Sequence, residues 1–142
     1  MSVFVVDASL VIKWFVPEIH AEAAKRWLHA AHDYVAPDLL FPELGNVVWK
    51  KVRRKELTEA EGRQLVTDLA RVAIETVGTR SLLEDALAVA LAAEISVYDA
   101  TYLTLAVRHD TALVTADDRL ADRIAGHALL ARHVRRLQDV IE

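Results

Sequence analysis

"VFVVDASLVIKWF", residues 3–15, decides how this chain is read. Val3, Phe4, Val5 and Val6 form a short run of β-branched and aromatic side chains without alternation, which reads as a strand buried on both faces. Asp7 follows at once, and the chain then turns apolar again. A carboxylate in that place has two uses. It can cap the next helix, or it can act in the crevice that a parallel sheet forms beyond the carboxyl ends of its strands.

Working outward, similar apolar runs at 34–36, 73–77, 112–115 and 128–130 read as further strands. Helical spacing fills the intervals. Residues 20–31 place Ala23, Ala24, Trp27, Leu28 and Ala31 on one stripe; Leu44, Val47, Val48 and Val52 form another, and Leu65, Val66, Leu69 and Val72 a third. The alternation predicts an α/β fold: a single domain over 1–142, built as a three-layer α/β/α sandwich on a mostly parallel sheet of about five strands. Helix starts are punctuated to match. Pro42 and Glu43 suit a first turn, and Thr58 with Glu61, like Ser96 with Asp99, has capping-box spacing. Residues 86–93 are apolar on nearly every face and are expected to be buried, cover by a partner being the alternative.

A composition of 54% hydrophobic and 27% charged residues excludes a disordered chain, and the absence of cysteine excludes a disulfide framework or a thiolate metal site. No basic-then-apolar leader is visible and no apolar run approaches the length of a bilayer, so a cytoplasmic protein without a membrane segment is expected. The net charge of −4 argues against holding nucleic acid by overall charge, yet leaves room for a local basic patch. "KKVRRK" at 50–55 is such a patch: Lys50, Lys51, Arg53 and Arg54 either guide an RNA backbone or simply suit the C-terminal end of a helix. His29 and His32 lack a third ligand and read as a surface pair. Trp14, Trp27 and Trp49 read as core or interface anchors, and Lys13 as a surface lysine.

Four acids stand where an α/β sheet presents ligand sites. Asp7 follows the first strand and Asp117 ends "ALVTAD", while Glu43 and Asp99 each open a helix leading off the same kind of connection. Each has a local explanation: Asp7 and Asp117 as caps, Glu43 as a first-turn acid, Asp99 as the back-bonding member of the Ser96 box. Carboxylates sharing a poorly hydrated pocket repel one another unless a cation neutralises them. With no His or Cys among them, the set suits a hard ion, Mg²⁺ or Mn²⁺ rather than Zn²⁺, which would activate water for phosphodiester hydrolysis.

At these residues the chain resembles a known family. "VVDASLVIKWF", "PELGNVVWK" around Glu43, "YDATYLTLA" around Asp99 and "LVTADDRL" around Asp117 are similar, in order and over residues 3–120, to the PIN-domain ribonucleases, in particular the toxins of VapBC-type toxin–antitoxin modules. The resemblance implies an Mg²⁺- or Mn²⁺-dependent endoribonuclease with Asp7, Glu43, Asp99 and Asp117 as its acidic quartet. It makes Asp7 and Asp99 direct metal ligands, and gives Glu43 and Asp117 a second ion, the waters of the first, or the attacking water. Ser9, Asn46 and Thr115 match supporting positions around the acids. It also implies an RNA substrate, a VapB-type antitoxin and a homodimer. Two alternatives stand beside it: a catalytically silent PIN domain that only binds partners, and a receiver-like phosphoacceptor module. The receiver would want an acceptor Asp after the third strand, where "ETVGTRS" stands.

Overall fold

The computed structural model describes residues 2–140. Five strands, β1 (Ser2–Val6), β2 (His32–Pro37), β3 (Glu75–Val77), β4 (Leu113–Thr115) and β5 (Val134–Arg136), form one sheet in the order β3-β2-β1-β4-β5. Every pairing is parallel. Seven α-helices among the described residues flank it: α1 (Ala8–Val11), α2 (Ala21–His29), α3 (Leu40–Arg53), α4 (Glu59–Leu69), α5 (Leu83–Ala93), α6 (Val97–Arg108) and α7 (Asp118–Ala125). The result is the α/β sandwich expected, with the sheet parallel throughout. No single helix among the described residues is long and apolar enough to cross a membrane.

The central place of β1 explains its composition. It pairs with β2 on one side and β4 on the other, and Phe4, Val5 and Val6 are buried, because a parallel strand in the middle of a sandwich meets helices on both faces. Trp27 of α2 closes the core beside it. Its indole is fully buried, stacks edge-on against Phe4 at 5.1 Å and donates to the Leu137 carbonyl at 2.6 Å. Trp14 is buried likewise and donates to Ala24 at 2.7 Å. The close packing of α4 on α3 depends on Gly62, where a Cβ would lie 2.6 Å from Val52.

Several expectations need correction. The fifth strand is Val134–Arg136, and residues 128–130 are turn, with Leu129 79% exposed. An edge strand pairs on one side only and tolerates the arginines that hide it in the sequence. The stripes are narrower than the spacing suggested: Leu28 and Ala31 are exposed at the end of α2, as is Val66 on α4. Helix α5 is the largest departure. It packs on α6 through Ala86, Ala90 and Ala93, while Leu83, Leu87 and Leu91 are 60%, 50% and 73% exposed. Small residues turn inward because they let the two helices approach closely, so the leucines face out. Trp49 is also exposed, with Arg53 lying over its ring, and His32 is no surface group: it stacks on Phe4 and Trp27.

Candidate active site

The strand order creates the site. From β1 the chain moves to β2 and β3 on one side, while β4 and β5 add to the other, so the crevice beyond the ends of β1 and β4 is a topological switch point. Val6 pairs with Val114, which brings Asp7 level with Thr115 at the end of β4, just before the turn carrying Asp117. Helix α6 packs on β1 and β2, and α3 packs on α1, adding Asp99 and Glu43 from their first turns. Asp7, Ser9, Glu43, Asp99, Tyr102 and Asp117 thus line one cavity of about 120 Å³.

Each carboxylate is held differently. Asp7 caps α1, accepting from the Leu10 amide at 3.2 Å, and its two oxygens also receive the hydroxyls of Ser9 at 2.6 Å and Thr115 at 2.5 Å. Asp117 caps α7 through the Leu120 amide at 3.1 Å, and its own amide donates to Thr115 Oγ1 at 3.0 Å. Glu43 and Asp99 do not cap. Tyr102 donates to Glu43 Oε1 at 2.5 Å. At Ser96 only half of the expected box forms: its hydroxyl accepts the Asp99 amide at 3.1 Å, while the Asp99 side chain lines the cavity. The box at Thr58 and Glu61 is complete.

Burial and like charge make Asp7, Glu43 and Asp99 weaker acids. Burial pushes the Asp7 carboxyl up to about 6 against an ordinary 3.8, with the Glu43 charge adding to burial and the three donors pulling the other way. Burial also raises Glu43, reinforced by the charge of Asp99, and raises Asp99, reinforced by Asp117. The Tyr102 hydroxyl goes up as well, from burial and from its bond to Glu43, so it remains a donor. The cavity concentrates negative charge at a cost in stability.

Of the supporting residues named from the sequence, Ser9 and Thr115 hold Asp7, but Asn46 does not reach the cavity. It is exposed on α3. The face of α3 that follows Glu43 continues through Val47, at i+4, and Asn46, at i+3, turns to the other flank. Tyr102 was missed, although its place one turn after Asp99 on a helix puts both on one face. Lys13 is no surface group: it is 7% exposed and bonded to Glu18 at 3.2 Å and the Ile19 carbonyl at 2.9 Å. Lys50, Lys51 and Arg54 line a groove next to the acids, whereas Arg53 turns away over Trp49.

The model of the PIN domain family matches residues 4–126, so the chain belongs to that family. Its relatives narrow this to the VapC type. It is 36% identical over 121 residues to Ribonuclease VapC3 of Pyrobaculum aerophilum, covering 84% of this chain and 92% of that one. It is 33% identical over 118 residues to Ribonuclease VapC9 of Mycobacterium tuberculosis, covering 83% and 88%. Among solved structures, the fold is similar to PAE2754 from Pyrobaculum aerophilum, with a TM-score of 0.70 at 20% identity over 95% of this chain and 89% of that one. A toxin–antitoxin complex from Klebsiella pneumoniae gives 0.65 at 14% identity over 96% and 99%. Family membership turns the receiver-like reading aside.

Proposed function

We propose that the chain is a metal-dependent endoribonuclease that hydrolyses RNA phosphodiester bonds at the acidic cavity, and that it is the toxic member of a toxin–antitoxin pair acting in the cytoplasm. The observation that carries this is the convergence of Asp7, Glu43, Asp99 and Asp117 from four connections on one cavity, with burial and mutual repulsion raising three of them. The ribonuclease names of the relatives support the activity.

The residues present fit a hard divalent ion. The donors lining the cavity are carboxylate and hydroxyl oxygens, without His or Cys. Among the described residues no three His, Cys, Asp or Glu side chains form a ready cage. An ion held there would keep several of its waters and take one or two carboxylates, as Mg²⁺ does. Asp7 and Asp99 would hold such an ion, with Glu43 and Asp117 holding its waters or a second ion. Bound there, it supplies charge neutralisation and an acidified water. The chain's own part is orientation. Ser9 and Thr115 fix both oxygens of Asp7, and Tyr102 fixes Glu43, leaving the second Glu43 oxygen to orient or deprotonate water.

The toxin reading implies a cognate VapB-type antitoxin, for which the exposed Trp49, in a shallow groove between α3 and α4, is a candidate contact. It also implies a homodimer, for which the leucine face of α5 is the surface most in need of cover. The test is cleavage of single-stranded RNA by the purified protein. Activity should need Mg²⁺ or Mn²⁺, vanish with EDTA, and fall by at least ~100-fold in Asp99→Asn with the fold intact. Cleavage indifferent to EDTA, or undiminished in Asp99→Asn, sinks the assignment; a folded wild type that never cleaves RNA supports the silent, partner-binding alternative.

A further inference from the structure

The groove beside the acids holds a charge arrangement that the nuclease reading does not use. It has a volume of about 440 Å³ and runs between the first helical turns and the C-terminal half of α3. Four cations, Lys13, Lys50, Lys51 and Arg54, face two carboxylates, Glu18 and Glu56, so the groove carries +2 in a chain whose net charge is −4. It opens directly on the active site. Ser9 lines both spaces, donating to Asp7 at 2.6 Å and accepting the amide of Ala116, another groove residue, at 2.9 Å. An RNA strand cannot rest its neighbouring phosphates on four carboxylates, and the groove one hydrogen bond away offers them opposite charge.

Glu18 sits inside this groove between two lysines. One oxygen contacts Lys13 at 3.2 Å and the other contacts Lys51 at 2.5 Å. The two partners differ in kind. Lys13 has 9% of its side chain exposed and a second bond to the Ile19 carbonyl, so it needs Glu18 as a counter-charge and stays with it. Lys51 has 16% of its side chain exposed, stands on α3 between Lys50 and Arg54 in sequence, and meets Glu18 from across the groove. A carboxylate held by a lysine that other cations flank occupies the place a phosphate would take.

We propose that this groove is the track of the RNA backbone on one side of the scissile phosphate, and that Glu18 is an internal counter-anion from which an incoming phosphate captures Lys51. The proposal rests on the ribonuclease reading and specifies how that site takes its substrate. Lys13 anchors Glu18, Lys50 and Arg54 draw the strand in, and Lys51 exchanges one anion for another. Binding is thereby weakened by an anion that the chain itself supplies.

The test measures binding of a labelled single-stranded oligoribonucleotide to the inactive Asp7→Asn protein, by fluorescence anisotropy over a salt series, with wild-type cleavage followed in parallel. Adding Glu18→Gln should tighten binding by ~3- to 10-fold at low salt, because the groove gains a net positive charge. Lys50→Ala with Arg54→Ala should weaken it by about tenfold and reduce the salt slope by about 1.4, at ~0.7 per single-strand phosphate contact. Glu59→Gln, an exposed acid on α4, is the control and should change nothing. The lysine–arginine variant alters only exposed side chains and carries the test alone if Glu18→Gln fails to fold. RNA affinity that ignores both changes, while wild-type protein cleaves RNA, overturns this inference and spares the ribonuclease reading. A wild type that neither binds nor cleaves RNA overturns both.

Discussion

Replacing Asp7 by asparagine should make the metal-free protein more stable while removing its activity. Asp7 has its carboxyl raised to about 6 in the fold against 3.8 ordinarily. For a group whose folded value is raised, the folded state holds the proton more tightly, so its contribution is most favourable at low pH and is lost as pH rises through about 6. At about 1.4 kcal/mol per pH unit, the ionised Asp7 costs the fold up to about 3 kcal/mol at pH 8. Because Asp7 is only half-buried, solvent screening reduces this to about 1–3 kcal/mol. An asparagine keeps the geometry. Its carbonyl can accept from Ser9 and Leu10 where Oδ1 does now, and its amide can donate to Thr115, whose hydroxyl also accepts from Asp117. The assay is urea unfolding of both proteins in EDTA at pH 8 and pH 5. The variant should lead by about 1–3 kcal/mol at pH 8, a Tm gain of roughly 3 °C per kcal/mol, and by about half as much at pH 5. A variant less stable than wild type at pH 8, or a gap that does not shrink on acidification, refutes the reasoning.

Two further outcomes follow from the fold. Leu87→Glu with Leu91→Glu should convert a dimer to a species of 15.8 kDa in light scattering, without loss of helix content; a wild-type monomer, or a variant still dimeric, removes the α5 face from consideration. Glu94 ends α5 in the left-handed region, φ 56° and ψ 46°, with its side chain exposed, so Glu94→Gly should raise stability by about 0.5–1 kcal/mol in thermal melts, and a loss would mean its contact with Arg123 at 3.9 Å matters more than its backbone.

What the sequence carried well was whatever repeats or meets a fixed chemical need. The buried run 3–6, the acid after it and the cap residues at 58 and 96 are local signals, and local signals survive into the structure. What it hid depended on neighbours. Strand β5 lies at the sheet edge, where one unpaired side admits Arg135 and Arg136 and removes the apolar signature. Helix α5 looked uniformly apolar because alanine and leucine are both apolar, yet it is the alanines that are buried in the contact with α6. Lys13 looked like a surface residue because its partner, Glu18, belongs to the loop that folds back over it.

The same distinction decides how the acids are read. A place at a helix N-terminus is a sufficient local explanation for all four, and the capping expected of Asp7 and Asp117 holds in the structure. Glu43 stands in the first turn of α3 as expected but takes its hydrogen bond from Tyr102, and the Asp99 side chain leaves the Ser96 box half-formed. These two are the acids that lie half-buried, raised by burial and by like charge, without a cap in return. The helix dipole favours an acid in each first turn, but not its burial beside other acids. Their cost is intelligible if the cavity exists to concentrate negative charge for a cation, and the capping acids then do double duty, because the helix N-termini that need them open onto the same crevice.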